Sequence, residues 1–517
     1  MEIRDPRDSR FVFDVWGESI TVHDPLPPGV SRWRVRARVE GEWAQWSRWT
    51  EIAHTVELPE EPYTIVVDGP GDQDQPSMCR TGDGGYLLVF REAEGALGGE
   101  DIAAVRVSPE GNVVWQYLYG GQQDDRPGRS GNTVQPLRDG RGYLLAGVTR
   151  SFSPSGAYYP WLLVLDDAGK VLWQRWFGAQ HVGCARCVAA ETHDGDIVAA
   201  AAYQASEDVL SRDIWIVRLD GVTGDTVWQK TYGGKEHELP NRILISRYGR
   251  FRGDIIVAGY SYSQDIGFND PNVSNGWFLR VAADTGEVRH ERHYGWDTGW
   301  YEYDTVHDIA ETHTGELVLA GFSGSSRDSM GFHSRDIWVA HADARGVVDT
   351  HRRMLFAGYG NDWHDVPQSV TPLPSGRIVV VGHADRHYDV DSGYFGAQPA
   401  IWSVSQDLAS TSVEVLTWPP ESTGHITSSL LGSRTGAHCG DISSRSSDGS
   451  AIFLAFDPGG EAPSTPSPFV AETKAVNAKE RPFQQADTTA VVGSAVDMVE
   501  GTSAAERQGV NYNVRRW

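Results

Sequence analysis

The sequence predicts an all-β chain dominated by a ring of small four-stranded sheets, and three observations carry that prediction. Alternating apolar segments ending in a glycine recur, as YLLAG (143–147), DIIVAG (254–259), ELVLAG (316–321) and RIVVVG (377–382). A second alternating segment follows each, as PWLLVLD (160–166), DIWIVRLD (213–220), GWFLRVA (276–282) and DIWVAHAD (336–343). The pattern returns every 55–65 residues or so, with short Gly-rich turns between its parts, which is the signature of a repeat architecture. Alternation with a period of two marks strands. Four short strands cannot bury both faces of a sheet alone, so the copies must stack around an axis. The expected fold is therefore a seven-bladed β-propeller over 62–460, with a β module at 1–60 before it and an extended tail at 461–517 after it.

Residues 1–60 come first. Phe11, Phe13 and Val15 alternate with polar neighbours, and Pro25 to Gly29 form a turn. Trp33, Val35 and Ala37 then alternate with Arg34, Arg36 and Arg38, and Trp43, Trp46 and Trp49 follow at intervals of three. This run resembles the later strands of a fibronectin type III domain. Trp46-Ser47-Arg48-Trp49-Thr50 resembles the WSxWS box of cytokine-receptor modules, and the resemblance implies Arg side chains stacked on Trp rings. Such domains have about 100 residues and seven strands. The module is thus incomplete, completed by a partner's strand, or a small β cap.

In the array, each unit reads as inner strand, Gly turn, second strand, long loop, third strand, Asp/Gly turn and outer strand. Third strands number seven, from 101–107 to 451–457. The seventh unit lacks a fourth strand before the tail begins. Residues 63–68 (YTIVVD) have the outer-strand pattern, so they are expected to complete that sheet beside 451–457, because an open ring leaves unpaired edges. The repeats resemble a bacterial and archaeal propeller family with the pattern DGGYLLAG…DxWLVKLDxxGxVxWxKTYGG. Asp220, Thr223-Gly224 and Trp228 resemble the Trp-docking turn of quinoprotein propellers. That resemblance implies that Trp115, Trp173 and Trp228 pack between blades, with His290 replacing Trp in the fourth. The eighth blade and the cofactor ligands of the quinoprotein enzymes are not found in the sequence.

Composition narrows the function classes. The formal charge is −25, so nucleic acid is not an expected partner, since phosphate binding needs a basic footprint. No window of about 18 apolar residues predicts a membrane span, and MEIRDPRDSRFVFDV has no apolar signal region. Localisation stays open between the cytosol and a virion or other extracellular assembly. Four cysteines are too few for a disulfide scaffold. Cys184 and Cys187, spaced as CxxC on a predicted inner strand, read as buried thiols ahead of a disulfide or a metal site. The tail, rich in Pro, Ser, Thr, Ala and Gln, reads as a disordered extension or as an arm docked on a neighbouring subunit.

Loop length places the candidate site. Turns between first and second strands, and between third and fourth, are short and share one face. The other face carries long loops at 91–100, 150–159, 263–275, 324–335 and 384–398, and the blade-to-blade loops. Function tends to reside on such loops. Phe152, Tyr158, Tyr159, Phe268, Trp300, Tyr301, Asp304, Phe332, Trp363, His364, Asp365, Tyr388 and Tyr394 are the candidate binding residues there. Aromatics beside carboxylates suit sugar stacking or a protein interface. No catalytic residue and no cofactor is assigned. Asp389-Val-Asp391-Ser-Gly393 resembles a calcium loop but lacks the downstream bidentate Glu. The functional expectation is a non-catalytic recognition or assembly protein that binds protein subunits or surface glycans. The alternatives are a lyase or glycan hydrolase acting at the long-loop face, and a cytosolic interaction scaffold.

Overall fold

The computed structural model describes residues 2–4, 10–12, 29–34, 36, 38–39, 42–48 and 50–54, then 63–457, and finally 484–485 and 513–516. Within 63–457 the description omits 69–72, 96, 129–132, 179–183, 205–210, 264–273, 296–303, 313, 328–332, 357–364, 374–375, 390–393, 406, 409–410, 416–421, 432–435 and 445–449. The chain divides into two compact units, Met1–Glu60 and Glu61–Trp517.

In the first unit, an antiparallel sheet has the strand order Arg10–Val12, Glu2–Arg4, Gly29–Arg34, Thr50–His54. Arg38–Val39 and Glu42–Trp43 form a separate two-stranded pair. Arg34 and Arg36, two residues apart, place their guanidinium carbons 4.6 and 4.5 Å from the centre of the Trp46 ring. That is cation–π range. Phe13, Val15 and Trp49 lie outside the described residues.

The second unit is all-β in a propeller arrangement. Its helical content among the described residues is two short 3-10 turns, Arg138–Gly140 and Gly249–Phe251. Six sheets are each cut from one continuous segment. The first sheet runs Gln73–Arg80, Tyr86–Gly95, Gly99–Val107, Val113–Tyr119. The third runs Cys184–Glu191, Ile197–Tyr203, Asp213–Leu219, Thr226–Tyr232. The fourth, fifth and sixth repeat this order from Glu238, Asp304 and Val366. In the second sheet the inner strand is split into Asp125–Pro127 and Val134–Pro136, which both pair with Tyr143–Thr149.

A seven-bladed propeller was expected, its last sheet completed by 63–68 beside 451–457; that pairing is present, but the count needs a correction, since contiguous sheets among the described residues number six. The remaining sheet is composite. It joins Ser422–Leu431, Gly436–Ser444 and Ser450–Asp457 to Tyr63–Asp68. Phe453 pairs with Val66, and Phe456 with Tyr63. The physical reason is that the array ends on a third strand, whose bare edge takes up an early strand instead. Two tail segments also pair with sheets. Asn513–Arg516 runs antiparallel along Tyr63–Asp68, and Gln484–Gln485 runs parallel along Val113–Tyr119. The tail is therefore not wholly an extension free of the array.

The period-two pattern has a direct structural use. Within Tyr143–Thr149, Tyr143 and Leu145 join an apolar cluster shared with the first sheet, around Ile102 and Trp161. Leu144, Ala146 and Val148 join another shared with the third sheet, around Ala199 and Trp215. Similar clusters lie between the third and fourth, fourth and fifth, and fifth and sixth sheets. Each strand thus feeds two cores, one per side, which is why strands such as Tyr159–Leu165 are buried at every position.

The glycine within the second strand of the fourth, fifth and sixth sheets has a steric cause. A Cβ at Gly259, Gly321 or Gly382 would fall 2.0, 1.9 or 2.1 Å from the carbonyl oxygen of Leu239, Thr305 or Val366. Those carbonyls lie on inner strands at a bulge. Register skips between Pro240 and Arg242, Val306 and Asp308, and Pro367 and Ser369, and likewise between Cys184 and Cys187. An inner strand is a sheet edge, where Pro and bulges are tolerated.

The segments read as long loops are partly strand. Tyr86–Gly95 with Gly99–Val107, Leu317–Arg327 with His333–Ala342, and Ile378–Asp389 with Tyr394–Val404 extend as hairpin arms. Their polar and Gly-rich sequences lack an apolar stripe, yet the backbone ladder continues through them because neither partner strand ends there.

Candidate functional site

On the long-loop side, the first residue of an inner strand and a residue near the start of a neighbouring third strand form a buried carboxyl pair. Asp101 and Asp125 are fully buried. They flank Gly120, where a Cβ would fall 2.2 Å from Asp101 Oδ1 and 2.9 Å from Asp125 Oδ2. Asp125 Oδ2 accepts from the Gly121 amide at 2.8 Å and from Ser151 Oγ at 2.6 Å. Asp101 Oδ2 accepts from the Leu97 amide at 3.1 Å. Glu92, also fully buried, accepts from Gln73 Nε2 at 2.9 Å. Burial pushes the Asp101 carboxyl up to about 8, and repulsion from Asp125 and Glu92 adds to it. Burial also raises Asp125.

The same device recurs one pair of sheets later. Gly233 lies between Asp213 Oδ1 and Glu238 Oε2, at 2.6 and 2.5 Å from a would-be Cβ. Glu238 accepts from the Gly234 amide at 3.1 Å and from Ser261 Oγ at 2.7 Å. Burial raises the Glu238 carboxyl. The Gly-Gly exits of the repeats thus have two jobs, room for two carboxyls and an amide for one of them. Asp304 and Asp365 begin the inner strand or its approach in the fifth and sixth sheets and are buried. Both were expected on an exposed rim. They are interior residues instead, and Asp304 is tied to Ser274 of the preceding sheet through its amide and carbonyl.

At the first and second sheets a charged network surrounds Tyr158. The Arg126 and Arg150 guanidinium carbons stand 4.9 and 4.7 Å from its ring centre. Its hydroxyl donates to Asp124 Oδ2 at 3.3 Å, and Arg150 pairs with the same carboxylate at 3.1 Å. Arg126 pairs with Glu100, Glu100 with Arg91 at 2.6 Å, and Arg91 with Asp74 at 2.5 Å. Burial opposes ionisation of Asp124, but the Glu100 amide and Arg150 hold its carboxyl below the usual range.

Other expected rim residues fare differently. Phe152 stacks on Trp176 with centroids 4.7 Å apart and joins the core beside Trp161. Tyr159 is buried in a strand. Both are packing residues, because the loop folds back over the strand ends. Tyr388 and Tyr394 sit on the hairpin arm, paired with Phe395 and Asp389. Phe268, Trp300, Tyr301, Phe332, Trp363 and His364 lie outside the described residues, as do Asp391 and Gly393 of the calcium-like loop. Among the described residues no group of three or more His, Cys, Asp or Glu could hold a metal ion. Cys187 is buried, and its register falls directly after a bulge.

The packing residues show a repeated bond. Trp115 Nε1 donates to the Asp167 carbonyl at 3.0 Å, Trp173 Nε1 to Gly221 at 3.2 Å, and Trp228 Nε1 to Ala283 at 2.9 Å. Each acceptor is in the third-to-fourth turn of the next sheet. Arg106 and Arg218 donate to the same Asp167 and Ala283 carbonyls, at 3.1 and 2.8 Å. A second contact reaches the positive-φ glycine of that turn. Tyr119, Tyr232 and Tyr294 donate to Gly169, Gly286 and Gly346 at 2.6, 2.5 and 2.7 Å.

Sequence reasoning missed the inner-strand bulges, which set Arg186, Asn241, His307 and Gln368 at one level on consecutive sheets. The available signal was Pro240 and Pro367 inside runs that otherwise read as strands.

No family model matches this chain, and no curated protein matches it. Solved structures similar to it include a protein of unknown function from Dyadobacter fermentans, at 12% identity, TM-score 0.41, covering 77% of this chain and 97% of that one. The polysaccharide lyase Uly1 aligns at 8% identity, TM-score 0.43, covering 72% and 88%. An α-L-arabinofuranosidase from Fusarium graminearum aligns at 10% identity, TM-score 0.32, covering 53% and 93%.

Proposed function

We propose that the protein is a non-catalytic recognition or assembly module that presents a pre-organised long-loop face to a glycan or protein partner. One observation carries this reading. The buried carboxyls at the strand starts are spent on fixing the groups around the loops, as Asp125 does for the Gly121 amide and Ser151 hydroxyl and Glu238 for the Gly234 amide and Ser261 hydroxyl. A surface fixed before binding loses less entropy on binding. The test is a glycan-array and pull-down screen with the intact protein, beside Asp125→Asn and Glu238→Gln variants. Saturable capture that weakens in both variants supports the reading. Turnover of a polysaccharide, with bond cleavage detected in the product, would replace it with the lyase or hydrolase alternative.

The reading includes a ring of seven blades, the composite sheet being the seventh. The innermost strands neighbour one another in chain order, and Ser422–Leu431 also neighbours Gln73–Arg80. A Val66→Cys, Phe453→Cys pair, built on partners in register, should form a disulfide without loss of stability. Failure to cross-link under mild oxidation would remove the composite blade. The N-terminal unit, with its Arg–Trp–Arg stack, is proposed as a fibronectin-like module.

A further inference from the structure

We propose that the outer edge of Tyr63–Asp68 is a strand-acceptor site that takes the tail strand Asn513–Arg516 of a second copy, so that copies join by exchanged arms. The inference deepens the assembly side of the reading above and rests on it. The tail seats where the outer edges are unguarded. An outermost strand has a bare row of N–H and C=O groups that can template pairing with another chain, and charged side chains guard against that. Val171–Trp176 carries Arg175, Thr226–Tyr232 carries Lys230, and Val288–Tyr294 carries Arg289 and Arg292. Val348–Phe356 carries Arg352 and Arg353, and Thr411–Val415 carries Glu414. Val113–Tyr119 carries no charge, and Tyr63–Asp68 none before its last residue. Those two edges receive the tail, Gln484–Gln485 on the first and Asn513–Arg516 on the second.

The seat does not depend on which chain fills it. Asn513 pairs with Asp68, Val514 with Val67, Arg515 with Val66 and Arg516 with Ile65. A second copy offers the same four residues in the same register. Exchange therefore keeps every ladder contact and costs only the freedom lost on association. The chain's own strand is a weak competitor. It pairs over four residues, fewer than the usual five or six or so. The anchor before it pairs over two. Residues 486–512 lie between the two anchors. Over a connection this long, the effective concentration of the chain's own strand falls below about 1 mM.

Charge favours an arm over a face-to-face contact. The chain has a formal charge of −25, so two copies repel when their bodies meet. That repulsion fades over about 8 Å at physiological salt. Residues 486–512 can span roughly 90 Å when extended. A compact domain of about 400 residues has a radius of gyration of only about 21 Å. The arm thus reaches a second copy without bringing the acidic bodies together. Its tip carries Arg515 and Arg516, a positive charge that an acidic partner attracts.

Mixed-chain cross-linking tests the inference. A Val67→Cys chain and a Val514→Cys chain, each full length and with a different tag, place their thiols on partners in register. They are mixed at about 1 mM, where a second copy's arm matches the chain's own, and oxidised mildly. Thr64→Cys replaces Val67→Cys in the control, because Thr64 has no partner in the tail strand's register. The expected product is a disulfide-linked pair carrying both tags, at least tenfold above the control. Sedimentation of the unmodified protein is the second measurement, and it decides if the Val67→Cys chain does not fold. The average mass should climb from one chain toward two between about 0.01 and 1 mM, and a chain lacking 505–517 should stay at one. A doubly tagged product no greater than the control overturns the inference, whether or not a Val67→Cys, Val514→Cys chain closes on itself. Equal masses with and without 505–517 overturn it too. Glycan capture by the monomer would then leave the recognition reading standing.

Discussion

Asp101 lies fully buried between Asp125 and Glu92, with its carboxyl pushed up to about 8. An unfolded Asp titrates near 4. Folding therefore takes up a proton between those two values, so this residue's contribution to stability is complete below about pH 4 and is lost as pH rises toward 8. Asp101→Asn keeps an acceptor for the Leu97 amide and cannot ionise. It should melt like the wild type at pH 5 and several degrees higher at pH 9, at about 1–2 °C per kcal/mol for a unit this large. Parallel melting curves across that range would show that Asp101 titrates normally. His290 offers a second test. It occupies the position held by Trp115, Trp173 and Trp228 elsewhere, and burial with four surrounding arginines lowers its pKa. His290→Trp should restore a donor toward the Asp343–Gly346 turn and stabilise by about 1 kcal/mol, read by chemical denaturation. At this scale the docking tryptophans were legible because the turn that receives each of them recurs, with its Gly, in the next repeat. The sequence did not show that Asp304 and Asp365 are buried, because an acidic residue at a strand start reads as solvent-facing.

Strands were the most readable elements, since alternation survives in all six contiguous sheets. Their inner edges were not, because a bulge removes one residue from the ladder without changing composition. The glycine facing that bulge is where the cost concentrates. Gly321→Ala places a methyl 1.9 Å from the Thr305 carbonyl and 2.6 Å from the Trp338 ring. The strand must shift, and a loss of about 1–3 kcal/mol is expected. Gly82, with nothing within 4 Å of an added Cβ, is the control, and Gly82→Ala should stay within about 0.5 kcal/mol. Equal stabilities for the two variants would mean that the inner-strand carbonyl does not approach as described. The hairpin arms were read as loops for a related reason. Gly and Ser carry no face preference, so only the register of the partner strand decides where pairing stops.

For the whole molecule, repeat length and turn type made the propeller arrangement legible, while its closure depended on segments far apart in sequence. Asn513–Arg516 covers the outer edge of Tyr63–Asp68, and Gln484–Gln485 covers that of Val113–Tyr119. Removing 461–517 should lower the melting temperature by a few degrees, at about 1–2 °C per kcal/mol. It should also speed amide exchange in Tyr63–Asp68 relative to the fifth sheet. Unchanged exchange there would mean that the tail strands do not seat. The composite sheet also has a consequence during synthesis. Tyr63–Asp68 leaves the ribosome before any of the six contiguous sheets, whereas its partner Ser450–Asp457 emerges after all of them. Throughout that interval a short, apolar, β-prone ribbon must wait without its mate, exposed to other nascent chains. Yield in the cell should therefore depend on chaperone supply during elongation more than on the stability of the finished protein.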